Sequence, residues 1–455
     1  MSINNSGMDA KLCGGEVSIT VSAEDSLIKL GNMILWKKLG ELVLPDLKKT
    51  AKGFWWRGRA LHVRIHLAVY ILQSMFNKTD RAIEQDVRCN ALYQIFCGFL
   101  VVDAWHVPDA TKIEEFRNRL SPSTQHAIGE LVLMCAKAAK FTNAKWMDVD
   151  STVQEANIAY PADANLMMKL ASKAADLVEE FKGFGKKLSV DAKKIKGKVK
   201  EYFFMAKNTA VEKKRQVFAE LHKMVSSELA PVFEAARATS KEKIEKLSSR
   251  LQILWYQVCD LGPGLLADIR VFIKTHSMVP TKILSLHAKA IACVKKGKLG
   301  KPHEFGRVFQ LGRIPGNFLL IAKASSLLEN DKQALPKMLY QFRRIFGQEK
   351  PDSVATDKGY ASKKNFDALK RAGVQKIGIQ LPSNTKNIPV KLSDEDAAML
   401  RDRRAGIEPL IGHLKHGGFR KSRMKSDQTT EASAYRCTTG FNLRQLIRHI
   451  DGCYQ

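Results

Sequence analysis

A short strand signal, Trp146 to Val153 (WMDVDSTV), stands between two long stretches of helical pattern and limits what this chain can build. The run alternates and is rich in β-branched residues, so it reads as a strand. One strand leaves its backbone donors and acceptors unmet, so its partners must come from elsewhere in the chain. The next such signals, AIACVKKG, GRVFQLGRI and NFLLIAKAS, arrive only beyond residue 275, the last two joined by a short connection containing Pro and Gly. Between them, from about 162 to 275, the pattern is helical and lysine-rich.

Residues 1–25 are small and polar and read as a loose tail. From Ser26 to about Lys140 the pattern is helical. ALHVRIHLAVYILQSMF carries apolar residues at helical spacing and stops at Asn77, and a new helix restarts behind Thr79 as N-cap. Pro108 to Thr111 opens KIEEFRNRL, and Ser121-Pro122-Ser123 opens the next helix. An all-helical N-terminal domain over 26–140 is expected, with Trp55, Trp56, Arg57 and Arg59 in one loop. Downstream of the hairpin come a helix (KQALPKMLYQFRRIF), a strand (SVATD), a helix (SKKNFDALKRAG) and a strand (VQKIGIQL). A long helix then starts near Ser393 and passes through Glu408, followed by a basic tail segment. This alternation predicts an α/β sheet of mixed strand direction over 141–455.

Charge narrows the partner. Lys and Arg number 74 against 46 Asp and Glu, a net charge of +28, and such an excess calls for a polyanion. A nucleic-acid backbone is favoured over a membrane surface, because no basic amphipathic helix carries a large aromatic face. Between Leu166 and Lys200 ten lysines face four acids, which reads either as a solvated face or, preferably, as phosphate contact. The eight cysteines are scattered without a CxxC pair, which leaves no cysteine-ligated zinc finger and no disulfide framework. The first residues lack an apolar signal core and no run of 18 apolar residues follows, so a soluble, cytoplasmic, nucleoid-associated protein is expected.

Three acids fall at informative places: Asp150 in the first strand, Asp357 at the end of SVATD, and Glu408 on the late helix. Phosphoryl transfer needs oxygen ligands gathered so that two hard cations can activate the attacking oxygen and stabilise the leaving one. Asp148 and Asp150 share a strand face, and spacing alone does not choose between them. Arg404, Glu408 and Lys415, four and seven residues apart, fall on one stripe of this helix, beside an apolar stripe of Ile407, Leu410, Ile411 and Leu414. That pattern serves equally as a surface ion pair or as a metal ligand flanked by phosphate-gripping cations.

DSTVQEANIAYPADANL, TDKGY and RRAGIEPLIGHLKHGGFRKSRMK resemble the catalytic segments of bacterial insertion-sequence transposases of the DDE class. DRAIEQDVRCNALYQIFCGF and PDATKIEEFRNRL resemble the helical N-terminal domain of that family, and the likeness runs colinearly over roughly residues 30–450. The resemblance implies a ribonuclease-H-like core with two Mg²⁺ ions (Mn²⁺ as a substitute), held by Asp150, Asp357 and Glu408. It also implies that the helical stretch 162–275 is an insertion in the catalytic domain. Arg404, Glu408 and Lys415 fit the spacing of a Tyr-Arg-Glu-Lys signature, with Arg401 in the Tyr position. Tyr360 matches the family's DKGY, and His413 and His416 are assigned to the surface or to phosphate.

The implied activity is cleavage at the ends of a mobile element followed by attack of the freed 3′ hydroxyl on target DNA. Its partners are double-stranded terminal inverted repeats and target DNA, gripped by Arg404 and Lys415, with Arg57, Arg59 and Arg64 as candidate contacts of the N-terminal domain. A homodimer on DNA is expected, because two ends are joined in one event. The rival readings are a metal-dependent nuclease of the same fold and a non-catalytic DNA-binding derivative.

Overall fold

Strand β1 (Trp146–Glu155) takes its main partner from far along the chain. The computed structural model describes residues 21–49, 63–98, 107–158, 161–184, 188–205, 209–277, 279, 282–295, 303–324, 330–381 and 392–453. The other strands are β2 (Ala292–Lys295), β3 (His303–Ile314), β4 (Phe318–Ile321), β5 (Ser353–Thr356) and β6 (Lys376–Ile379). Their order is β2-β3-β1-β5-β6, with β4 also paired to β3. β3 runs antiparallel to β1, β2 and β4, whereas β5 and β6 run parallel to β1. An antiparallel unit extended by parallel strands is the α/β, ribonuclease-H-like arrangement expected. The β3–β4 turn uses Gly316 at φ +78, where an added Cβ would overlap the Phe141 carbonyl oxygen.

β1 separates two environments. Met147 and Val149 enter a continuous core that also holds Leu30, Ile71, Val132, Phe318 and Leu446. The helices before β1 therefore share a core with the sheet. Thr79, Asp109 and Ser121 cap their helices through side-chain oxygens, as the sequence predicts for Thr79 and Ser121. The helical stretch between β1 and β2 has its own core, with Leu170, Val225, Leu229 and Val258 fully buried.

Two expectations change. The long late helix is broken at Gly406 into Asp394–Ala405 and Ile407–Leu414. A Cβ there would overlap the Arg313 guanidinium, so glycine makes room for that side chain. Nor does the chain close on a basic tail: Asp427–Ile450 is a helix that buries Thr430, Ser433, Thr438, Thr439, Asn442 and Gln445. Its inward face mixes these small polar residues with Tyr435, Phe441, Leu443 and Leu446, so the apolar periodicity that would announce it is interrupted. Gly440 lies where an added Cβ would overlap the Ser74 carbonyl, which brings the last helix hard against Val63–Phe76. Asn442 exchanges two hydrogen bonds with the Leu319 backbone, at 2.8 and 2.9 Å, and so closes the β4 edge. Among the described residues, no helix is long and apolar enough to cross a membrane.

Candidate active site

Asp148 and Asp150 project from the same face of β1 into different surroundings. Asp148 is fully buried, and Arg403 donates to it from Nε at 2.6 Å, with Arg313 at 3.8 Å. Both guanidiniums also lie over the Trp146 ring, at 5.2 and 5.0 Å. Burial raises the Asp148 carboxyl to about 6 against the pull of Arg403. This residue is engaged in anchoring the helix Asp394–Ala405 to the sheet.

Among the described residues, Asp150 has no cation of that kind. Its Oδ1 accepts the Ser151 amide at 2.7 Å. Burial pushes its carboxyl up to about 6, the Ser151 amide opposes this, and the carboxylates of Asp357, Asp331 and Glu408 add to it. Parallel pairing matches Val149 with Thr356, so the next position sets Asp357 beside Asp150. Asp357 caps the turn Lys358–Tyr360, its Oδ1 accepting the Gly359 amide at 2.9 Å. Glu408 is exposed on Ile407–Leu414, whose buried Ile407, Leu410, Ile411 and Leu414 pack with Phe309 and Leu311 of β3. The apolar stripe expected to dock on the sheet does so. The structure thus brings Asp357 and Glu408, from two separate elements, within electrostatic reach of Asp150.

A fourth acid joins them. Asp331, in the turn Asp331–Gln333, accepts Gln310 Nε2 at 2.7 Å and Ser151 Oγ at 3.3 Å. Burial raises its carboxyl, and Asp357 raises it further. Ser151 and Gln310 face each other in the β1–β3 register, and the buried Tyr360 hydroxyl donates to Gln310 Oε1. Asn365 donates to the backbone carbonyls of Asp331 and Tyr360, at 2.9 and 2.8 Å, and so joins the two turns. The strand-end packing role of Tyr360 is therefore part of this network.

The chemistry of the group suits a hard divalent cation: four carboxylates, with Asp150 raised by burial and further by its acidic neighbours. Among the described residues, no three Asp, Glu, His or Cys side chains already converge at ligand distance. His413 and His416 are exposed. Arg404 lines a cavity of about 270 Å³ with Thr356, Ile379, Gln380 and Arg401, next to Asp357 in the chain. Lys415 opens the wide turn Lys415–Phe419 after the Glu408 helix.

Arg57 and Arg59 lie outside the described residues. Arg64 is engaged within the helical region: its guanidinium stacks 3.3 Å over Trp36 and donates to the Phe96 carbonyl at 2.8 Å. Burial lowers its pKa to about 10. Its expected place as a DNA contact is thereby taken by internal packing.

Two family models match separate parts of the chain. Residues 16–119 match the family model described as transposase domain (DUF772), and residues 324–443 match the transposase DDE domain. The second match contains Asp331, Asp357 and Glu408 and starts beyond β1. A protein of Rhizobium meliloti, described as uncharacterized protein ORF8 in nfe locus, is 25% identical over 208 residues, 44% of this chain and 88% of that one. No solved structure matches the chain.

Proposed function

We propose, for a chain that belongs to the DDE transposases of insertion sequences, that it cleaves the ends of its element and joins the freed 3′ hydroxyls to target DNA. The observation that supports this reading is the effect of Asp357 and Glu408 on Asp150, whose carboxyl is raised to about 6 chiefly by burial and further by those two. Carboxylates crowded in a half-buried setting repel one another, and bound cations relieve that repulsion. Asp150, Asp357 and Glu408 would together hold divalent ions, Mg²⁺ or Mn²⁺. Such ions polarise the attacked phosphate and favour the deprotonated form of the attacking oxygen.

The remaining work belongs to the protein. Arg404 and Lys415 flank Glu408 and hold DNA phosphates on either side of the scissile bond. Ser151 fixes Asp150 through its amide, and Gly359 fixes Asp357 in the same way. Water attacks first and the DNA 3′ hydroxyl second, so no protein–DNA bond forms. Two chains act together, one per end.

The test is incubation of the full chain with labelled duplex carrying the DNA ends that flank its gene, in Mg²⁺ or Ca²⁺, beside Asp150→Ala, Asp357→Ala and Glu408→Ala. Mg²⁺-dependent cleavage and joining, lost in all three variants while binding persists, is the expected result. Cleavage without joined products would make it a nuclease. Binding without cleavage in either ion would make it a non-catalytic DNA-binding protein.

A further inference from the structure

The helix Ala192–Met205 rests on the insertion's core through Ile195 and Val199, with Tyr202 half-buried on the same side. At 100° per residue, Lys193, Gly197, Lys200 and Phe204 fall on the opposite side, with Lys196 beside them. All five are exposed, and Phe204 is 86% exposed. Lys198, on another side, pairs with Glu201 at 2.8 Å. None of Lys193, Lys196 and Lys200 pairs with a carboxylate among the described residues.

Gly197 adds an independent observation. A Cβ at this position would meet nothing within 4 Å, so no neighbouring side chain explains the glycine. Glycine inside a helix costs about 1 kcal/mol relative to alanine, and its distinctive gain is close approach by another molecule's backbone. Lys193 to Lys200 span roughly 10 Å of helix axis. That length covers about three phosphates of one DNA strand.

We propose that this face docks duplex DNA. Lys193, Lys196 and Lys200 meet consecutive phosphates of one strand, Gly197 admits the sugar–phosphate backbone, and Phe204 lies against the sugar edge of the groove. The proposal rests on the DNA-transposing reading for its choice of polyanion. It goes further by assigning the insertion a second DNA contact, away from the carboxylates.

The test measures affinity of the full chain for a duplex over a series of NaCl concentrations, without divalent ions. Each phosphate contact contributes about 0.9 to the slope of log affinity against log salt. The triple variant Lys193→Gln, Lys196→Gln, Lys200→Gln should lower that slope by about 2 to 3. The charge-matched triple Lys241→Gln, Lys243→Gln, Lys246→Gln, on exposed positions of the same insertion, should leave it unchanged. Arg at positions 193, 196 and 200 should restore the slope, which separates lost charge from lost fold. Phe204→Ala should weaken binding with the slope intact. An unchanged slope in the first triple, or an equal fall in the charge-matched one, would overturn the docking face. Absence of duplex binding by the unaltered protein would overturn the DNA reading along with it.

Discussion

Arg403 reaches from the helix Asp394–Ala405 to Asp148, two residues before Asp150 on β1, and donates to it at 2.6 Å. Its Nη1 also donates to Ser353 Oγ at 2.7 Å, so one guanidinium joins β1, β5 and the helix that leads to Glu408. The strand thus carries one acid held by cations and one surrounded by other acids. Removing one partner of a buried ion pair leaves an uncompensated charge, so Arg403→Ala should destabilise the chain by about 3–5 kcal/mol. Asp150→Ala should leave the melting temperature unchanged or higher while abolishing cleavage. Urea denaturation and end cleavage on the two variants check the pair. Equal stability losses would contradict the division of labour.

Acidity should register in stability. Asp150 is held at about 6, above the ordinary aspartate value near 4. The folded chain then binds that proton more tightly than the unfolded one, so this group favours folding most below about pH 4, and the contribution is lost as the pH rises to about 6. In buffer free of divalent ions, Tm should fall across that window, and it should fall less in Asp150→Asn. Added Mg²⁺ should restore Tm at pH 6 in the unaltered protein but not in the variant. Identical Tm profiles for the two proteins would refute the crowding of carboxylates at Asp150.

Asp331 tests whether the turn beside the triad is part of its machinery. Asp331→Asn keeps a group able to accept from Gln310 and removes the charge near Asp357. The Mg²⁺ concentration for half-maximal cleavage should rise about tenfold, as it does when a supporting group around metal ligands is lost. Tm should change little. A Mg²⁺ titration matching that of the unaltered protein would assign Asp331 to the scaffold alone.

Gly412 lies one helical turn beyond Glu408, where an added Cβ meets nothing within 4 Å. Gly412→Ala should stabilise the chain by about 1 kcal/mol, the helix-propensity difference. Gly412→Gln should fold as well and yet cut DNA ends poorly, because its longer side chain fills the approach to Glu408. Thermal melts and cleavage rates of the two variants together make the check. Undiminished cleavage by Gly412→Gln would mean that DNA does not pass over this helix face.

Much of the sheet was legible because its strands alternate and its helices open on capping side chains. Asp150, Asp357 and Glu408 were singled out by the resemblance of the segments that carry them, since spacing alone left each with an ordinary structural role. Asp331 was not, since it stands in a polar turn, NDKQ, with no periodicity around it. Its place becomes visible only when β3 brings Gln310 opposite Ser151. Spacing did not separate Asp148 from Asp150; the resemblance favoured Asp150, and the cations that occupy Asp148, Arg403 and Arg313, are distant in sequence from both. Arg64 misled because a guanidinium near other basic residues looks available until Trp36 is found beneath it. The last helix was missed because its buried Tyr435, Phe441, Leu443 and Leu446 are interleaved with small polar residues that are buried as well, which breaks the apolar pattern.

That last helix gives the chain an unusual order of assembly. Leu443 and Leu446 belong to the same core as Leu27, Leu30 and Ile71. Proteins leave the ribosome at about 5–20 residues per second, and early domains commonly fold while later ones are still being made. Here the first helices emerge tens of seconds before the residues that complete their core. The insertion, with its separate core, can mature in the meantime. Maturation of the N-terminal region is thereby tied to synthesis of the helix Asp427–Ile450, so that a polypeptide released before that helix, even one already carrying Asp150, Asp357 and Glu408, would lack part of the core that holds its beginning together.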